Sequence, residues 1–443
     1  MDKIPAEVLL EVFDYLAGPA PSTERLHHQP HPDLFAARVF ESPRPLQSVS
    51  LVSKSWRTLS LPALFRHVHW QPSIQSLSHF TLNPIPLLDF LKKNNLVHYV
   101  ETFTLSTDYV DPVVINQGLT PQIRSVDLDW LWTTLFSVVD PLRFMLMAPP
   151  STLAALTSRR LDIDDNWCFE HPYTIISMSR ASRDATDRVE QDDTPVESTA
   201  VKATTSYTAQ PEGRVRSALV NRYLTPRPKG PPLCLLFSLR PWTSLLLNEG
   251  SFIPAYRNYD YGERKPPSML VPLIGSHGLG ANARTKGLIP PTVVDFSYVA
   301  VFPHATHVMQ LFENLPPIER LFIQITPGPE NKVFKDARAM RDVESRDLWE
   351  ERDSIQGKLL IPEVHEQSLD NWNSLRVFES GDLVSIAIWH KILLTPPRGW
   401  NITSQGVMTL NPVKSERADD RDPDIDDMDS DPDDDFWNFT WEV

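Results

Sequence analysis

The stretch Ile4-Pro5-Ala6-Glu7-Val8-Leu9-Leu10-Glu11-Val12-Phe13-Asp14-Tyr15-Leu16 leaves the chain little choice of local structure. Pro5 suits a helix start, where its missing N–H is one of those that a first turn leaves unbonded anyway. Val8, Leu9, Val12, Phe13 and Leu16 recur with helical spacing and fall on one face. Glu7 sits near the positive end of the helix dipole, which it stabilises. Such a stripe has to be buried against something. The next apolar material is Leu46, Val49, Leu51 and Val52, followed by Trp56, Leu59, Leu61, Leu64 and Phe65. The first seventy residues are therefore predicted to form a small helical bundle.

The second apolar group is organised by Leu51-Val52-Ser53-Lys54-Ser55-Trp56-Arg57. Taken in order with Ile4-Pro5-x-Glu7-Val8, it resembles an F-box, the three-helix module that docks onto the Skp adaptor of cullin–RING ubiquitin ligases. Carried over position by position, the resemblance assigns adaptor binding to Ile4, Pro5, Glu7, Val8, Val12, Leu16, Leu51, Val52, Lys54, Trp56 and Arg57. It implies a helix-in-groove contact with aliphatic anchors. One feature departs from that pattern. Where an F-box has a short connection, residues 17–45 form a polar insertion containing Pro19, Pro21, Pro30, Pro32, Pro43 and Pro45. An insertion of this kind costs little loop entropy if it stays on the surface.

Strings farther along are similar to a group of filamentous-fungal F-box proteins. They include Asp140-Pro141-Leu142-Arg143, Ala148-Pro149-Pro150-Ser151-Thr152-Leu153 and Arg240-Pro241-Trp242-Thr243-Ser244-Leu245-Leu246-Leu247-Asn248-Glu249-Gly250. Their character is that of corners and core packing, and they name no substrate.

Beyond the bundle, short β-like runs alternate with helical ones. Strands are expected at Tyr99–Leu105, Ile123–Asp129, Arg143–Met147 and Ile175–Met178. Helices are expected at Leu131–Val139 and at Leu153–Thr157, the latter capped by Ser151. The clearest unit is a strand at Val293–Phe302 and a helix at His304–Leu315, stopped by Pro316-Pro317, with a second strand at Ile318–Ile325. Phe296 and Phe322 are 26 residues apart, a spacing that suits one strand–helix unit of a leucine-rich repeat, and Leu375–Phe378 reads as a later rung. Residues 262–288 read as a loop.

Proline is abundant and glycine scarce, 41 against 15 residues, so corners are set by proline rather than by flexible glycine linkers. Residues 181–231, rich in Ser, Thr, Asp, Glu and Pro, read as a disordered insertion. Of the net charge of -15, residues 416–443 carry -11, and within them the acidic runs are followed by Phe436, Trp437, Phe439 and Trp441. The acidity is thus a tail property, read as solvated and disordered. Without a basic stripe the chain is not expected to bind nucleic acid. The two cysteines, Cys168 and Cys234, form no disulfide framework, and an intracellular setting fits. No apolar run has membrane length. No secretory signal pattern is read at the first residues.

Chemistry-bearing motifs are sparse. There is no Gly-x-Ser-x-Gly elbow, phosphate loop or His-Glu-x-x-His pair. Gly278-Leu279-Gly280 follows no convincing strand. His27, His28 and His31 cluster beside Asp33 in the insertion and read as solvated, and His304 and His307 form at most half of a metal site.

The expected fold is α+β, in five parts. A three-helix F-box at 1–70, with its insertion at 17–45, is followed by an irregular α/β, leucine-rich-repeat-like layered or solenoid region. That region is split into 71–180 and 232–415 by the disordered insertion at 181–231, and the acidic tail occupies 416–443. The expected function is that of a non-catalytic substrate-recognition subunit, without cofactor or metal. It would bind the Skp adaptor, a cullin through it and a target protein, in the cytoplasm or nucleus. Two alternatives are an adaptor-binding scaffold outside a ligase and an enzyme whose site folding alone would assemble.

Overall fold

The computed structural model describes residues 4–31, 34, 45–72, 82–110, 123, 125–159, 161, 166–169, 173–183, 234–276, 285–328, 333–360, 372, 374–382, 400–404 and 406–410. The expected disordered insertion, apart from residues 181–183, and the acidic tail lie outside them, as do Gly278–Gly280. Among the described residues the protein is a mixed α/β structure built on one ten-stranded sheet.

Besides a single helical turn at Pro21–Glu24, three helices open the chain: α1 (Ala6–Ala17), α2 (Pro45–Ser50) and α3 (Lys54–Leu64). They pack around Phe13, Leu46 and Ala63, with Leu9, Leu16, Val49, Trp56 and Leu59 closing the edges. The Phe13 and Trp56 rings meet 5.8 Å apart. The Ser53 side chain caps α3 by accepting from the Trp56 amide at 3.2 Å.

Directly after α3 the chain enters the sheet. Its strands are β1 (His67–Trp70), β2 (Thr102–Ser106), β3 (Arg143–Ala148), β4 (Thr174–Ser179) and β5 (Ser244–Ser251). Then follow β6 (Asp295–Val301), β7 (Arg320–Gln324), β8 (Val377–Ser380), β9 (Trp400–Ser404) and β10 (Val407–Leu410). Each strand lies beside its predecessor in the chain up to β8, where the β9–β10 hairpin joins through β10. Only β4 and β10 run against the other eight.

Side chains alternate between two faces. One face carries the main core: Phe103 and Leu105, Phe144 and Leu146, Leu245 and Leu247, Phe296 and Tyr298, Leu321 and Ile323. It is covered by helices α4 (Ile85–Lys93), α5 (Ser125–Phe136), α6 (Pro150–Leu156), α7 (Leu270–Ile274), α8 (Ala305–Glu313) and α9 (Ser345–Leu360). Trp242, fully buried there, donates from Nε1 to the Leu236 carbonyl at 3.1 Å and meets Phe136 at 6.0 Å. The central strands read as near-continuous apolar runs because both faces are covered.

Several expectations need correction. Ile123–Asp129 does not form a strand: from Ser125 onward it is the beginning of α5. Leu128, Leu131, Trp132 and Leu135 are buried at helical spacing, and this longer stripe prevails over the apparent alternation before it. Ser151 does not cap its helix. Pro149 holds the N-cap position and Pro150 the first turn, so Ser151 lies inside. Residues 262–288 are not simply a loop, for they contain α7, whose Leu270, Leu273 and Ile274 are buried. Phe296 and Phe322 are not equivalent positions. In register, Phe296 pairs with Leu321 and Ser297 with Phe322, so the two phenylalanines face opposite sides. The insertion does not stay on the surface: Ala20, Ser22, Leu26 and Pro30 are buried. No helix among the described residues is long and apolar enough to cross a membrane.

Two outcomes are expected in denaturant unfolding. Trp242→Ala costs about 3–5 kcal/mol, the range for losing a buried large aromatic. Asp382 gives a pH dependence. It accepts from the amides of Ile325 and Thr326 and from Thr326 Oγ1, joining the ends of β7 and β8. Burial nevertheless pushes its carboxyl from the ordinary 3.8 up to about 6. A folded-state value above the unfolded one means that the stability tied to the neutral carboxyl is present at low pH and lost as pH rises through 6. The stability advantage of wild type over Asp382→Asn should therefore shrink from about pH 4 to about pH 6 and level off above that. A constant difference would show that the group does not titrate in this window.

Candidate docking surface

Helix α1 carries more apolar surface than its bundle can bury. Phe13 is buried, and Leu9, Leu16 and Ala17 pack beside it. Val8 and Val12, one position before Leu9 and Phe13, turn outward, as do Ile4, Leu10 and Tyr15. The turn between α2 and α3 adds Leu51 and Val52, which are 80% and 60% exposed. Seven of the fifteen exposed large apolar side chains among the described residues thus fall between residues 4 and 52, too many for scattered surface leucines and valines.

The eleven residues carried over from the resemblance divide cleanly. Ile4, Pro5, Glu7, Val8, Val12, Leu51, Val52, Lys54 and Arg57 are exposed. Leu16 and Trp56 are half-buried and turn into the bundle, where they support the surface from beneath. Leu10 and Tyr15 belong to the exposed set without having been singled out. Their signal was present, since an apolar residue off the main stripe of a short helix must face water or a partner. The bundle is fixed to the sheet edge by Arg66, whose Nη2 lies 2.6 Å from Asp14 Oδ1 on α1 and whose Nε lies 3.6 Å from Glu101.

Glu249, His304, His307 and both cysteines are enclosed, whereas His27 and His31 of the inserted segment are exposed. Glu249 is 2% exposed. Its Oε1 accepts from Ser268 Oγ at 2.5 Å and the Met269 amide at 2.9 Å; its Oε2 accepts from Tyr298 at 3.1 Å and lies 3.0 Å from His307 Nε2. Burial holds the Tyr298 hydroxyl well above its ordinary value, so it stays a donor. This is a closed lock between strand and helix. The ring of His304 sits among Phe169, Phe252, Tyr256 and Tyr261, at 5.3–5.9 Å. Cys168 and Cys234 are buried thiols, and burial pushes Cys234 up to about 12, which suppresses the thiolate. Among the described residues no group of three or more His, Cys, Asp or Glu is placed to hold a metal ion.

Comparison with models of known protein families, with curated proteins and with solved structures finds no match for this chain.

The exposed set should be separable from the bundle's stability. Val8→Asp combined with Leu51→Asp is expected to shift the unfolding free energy by no more than about 0.5 kcal/mol per site, as for surface positions generally. Phe13→Ala should cost about 3–5 kcal/mol. Equal losses in circular-dichroism melts would mean that Val8 and Leu51 are structural.

Proposed function

We propose that the protein is a substrate-recognition subunit of a Skp–cullin–F-box ubiquitin ligase, acting in the cytoplasm or nucleus. The N-terminal bundle is the adaptor-binding F-box. The sheet-based body presents a surface to a target protein and performs no covalent chemistry. Its contribution is proximity, raising the target's effective concentration beside the ubiquitin-charged enzyme.

One observation carries this reading: the exposed apolar cluster of Ile4, Val8, Val12, Leu51 and Val52 on a bundle that is otherwise properly packed. A helix-in-groove interface needs such a cluster, with buried anchors at its centre and charges at its rim, and Glu7, Lys54 and Arg57 occupy rim positions. The order of the strands is consistent with a leucine-rich-repeat-like solenoid for the body. Successive units add at one edge, as in a layered repeat, rather than crossing back as in a doubly wound sheet.

Titration calorimetry of the full chain against a Skp adaptor tests the proposal. Wild type should bind, and Val8→Asp with Leu51→Asp should weaken binding at least a hundredfold while the protein stays folded. Absence of wild-type binding, or equal binding by the variant, would overturn it.

A further inference from the structure

The second face of the sheet is covered by part of the segment inserted between α1 and α2. Leu26 joins an apolar cluster with Met145 and Met147 of β3, Ile175 of β4, Leu246 of β5 and Val299 of β6, closed by Tyr173 and Leu34. His27 stacks on Phe322 of β7, with ring centroids 4.8 Å apart and planes inclined by 22°. The segment contributes no strand, and the ladders of β3 to β7 are formed without it.

A buried side chain of β5 grips its main chain. Asn248 of β5 is fully buried, and its Nδ2 donates to the carbonyls of both Leu26 and His28, each at 2.8 Å. Its Oδ1 accepts from the Gly250 amide at 3.1 Å, so the amide group is aimed and fully used. Gly250, at the irregularity in β5 pairing between Asn248 and Ser251, has φ 78°, and a Cβ there would stand 3.4 Å from Pro30 Cδ. Pro30 thus lies against Gly250, where it is the positive φ rather than lack of space that favours glycine. Internally the segment is braced by Arg25, whose Nη1 donates to the Leu34 carbonyl at 2.7 Å.

We propose that this face is a peptide-binding surface filled in cis by residues 26–30. The partner it fits is a peptide segment that places a leucine in the apolar cluster, a ring side chain on Phe322 and a proline against Gly250. Asn248 would grip the partner's carbonyls as it grips those of Leu26 and His28. A clamp on carbonyls is indifferent to side chains, while the leucine and ring sites select among sequences. Beyond the occupied part the face continues as a row of Thr102, Arg143, Ser179, Ser244 and Asp295, in register across β2 to β6. That polar floor gives a longer partner further hydrogen-bonding groups. The tethered segment competes at a high effective concentration, so an outside peptide gains the face only when it binds better or when the segment is released.

Fluorescence anisotropy with a labelled synthetic peptide of residues 24–31, added to the full chain, tests this. Neither the adaptor nor ligase activity enters the readout, so its failure would be distinct from failure of the functional proposal. Leu26→Asp with His27→Ala releases the segment and should bind the peptide at least tenfold more tightly than wild type. Adding Asn248→Asp, which sets a carboxylate against the two carbonyls, should remove most of that gain. Should the released chain prove unstable, His27→Ala alone, a change at an exposed side chain, should still bind several-fold more tightly than wild type. Binding no tighter than wild type in the folded release variants, or binding untouched by Asn248→Asp, would overturn the proposal.

Discussion

Two neighbouring side chains of one central strand, Asn248 and Glu249, hold the two faces of the sheet. Both are buried polar groups, and each would cost several kcal/mol if left unpaired. Glu249 points into the main core, where Ser268, the Met269 amide, Tyr298 and His307 surround it and tie α7 and α8 to β5 and β6. Asn248 points the other way and takes the carbonyls of Leu26 and His28, more than two hundred residues earlier in the chain. The positive φ of Gly250 marks the irregularity in the strand beside them. Because the segment held by Asn248 leads directly out of α1, this one strand also restrains the N-terminal bundle.

The bundle is thus attached to the body in two ways. One is continuity, α3 running into β1 with Phe65 packed on Phe90 at 5.1 Å. The other is the inserted segment crossing to β5, β6 and β7. An adaptor-binding module fixed in this manner would hold the body at a defined attitude to whatever α1 docks on, which is useful when the output is proximity. The outward stripe of Ile4, Val8 and Val12 lies on the same helix whose inward residue, Phe13, makes the bundle core. Packing and the proposed docking therefore use separate faces of one element.

Much of the architecture was legible where local periodicity was strong. Strands β3, β4, β6 and β7 and helices α1 and α8 follow from alternation, from helical spacing and from Pro316-Pro317, because in each the buried pattern is complete within a few residues. The start of α5 was not legible, since Ile123, Val126 and Leu128 imitate a strand until Leu131 and Trp132 are counted with them. Helix α9 left too thin a signal: Leu348 and Ile355, seven residues apart, are buried in a charged sequence. The helical stripe of α1 was legible as a stretch, but its division into inward and outward residues required the packing of Phe13. The contact of Leu26 and Asn248 had no local signature at all. A single leucine in a polar, proline-rich segment carries no period, and a hydrogen bond across 222 residues leaves no spacing to read.

Hydrogen exchange of the full chain, with and without a Skp adaptor, tests the central claim most directly. The account predicts slowed exchange on adaptor addition in residues 6–17 and at Leu51 and Val52, with the amides of β3 to β7 unchanged. Protection confined to the body, or none anywhere at saturating adaptor, would contradict it.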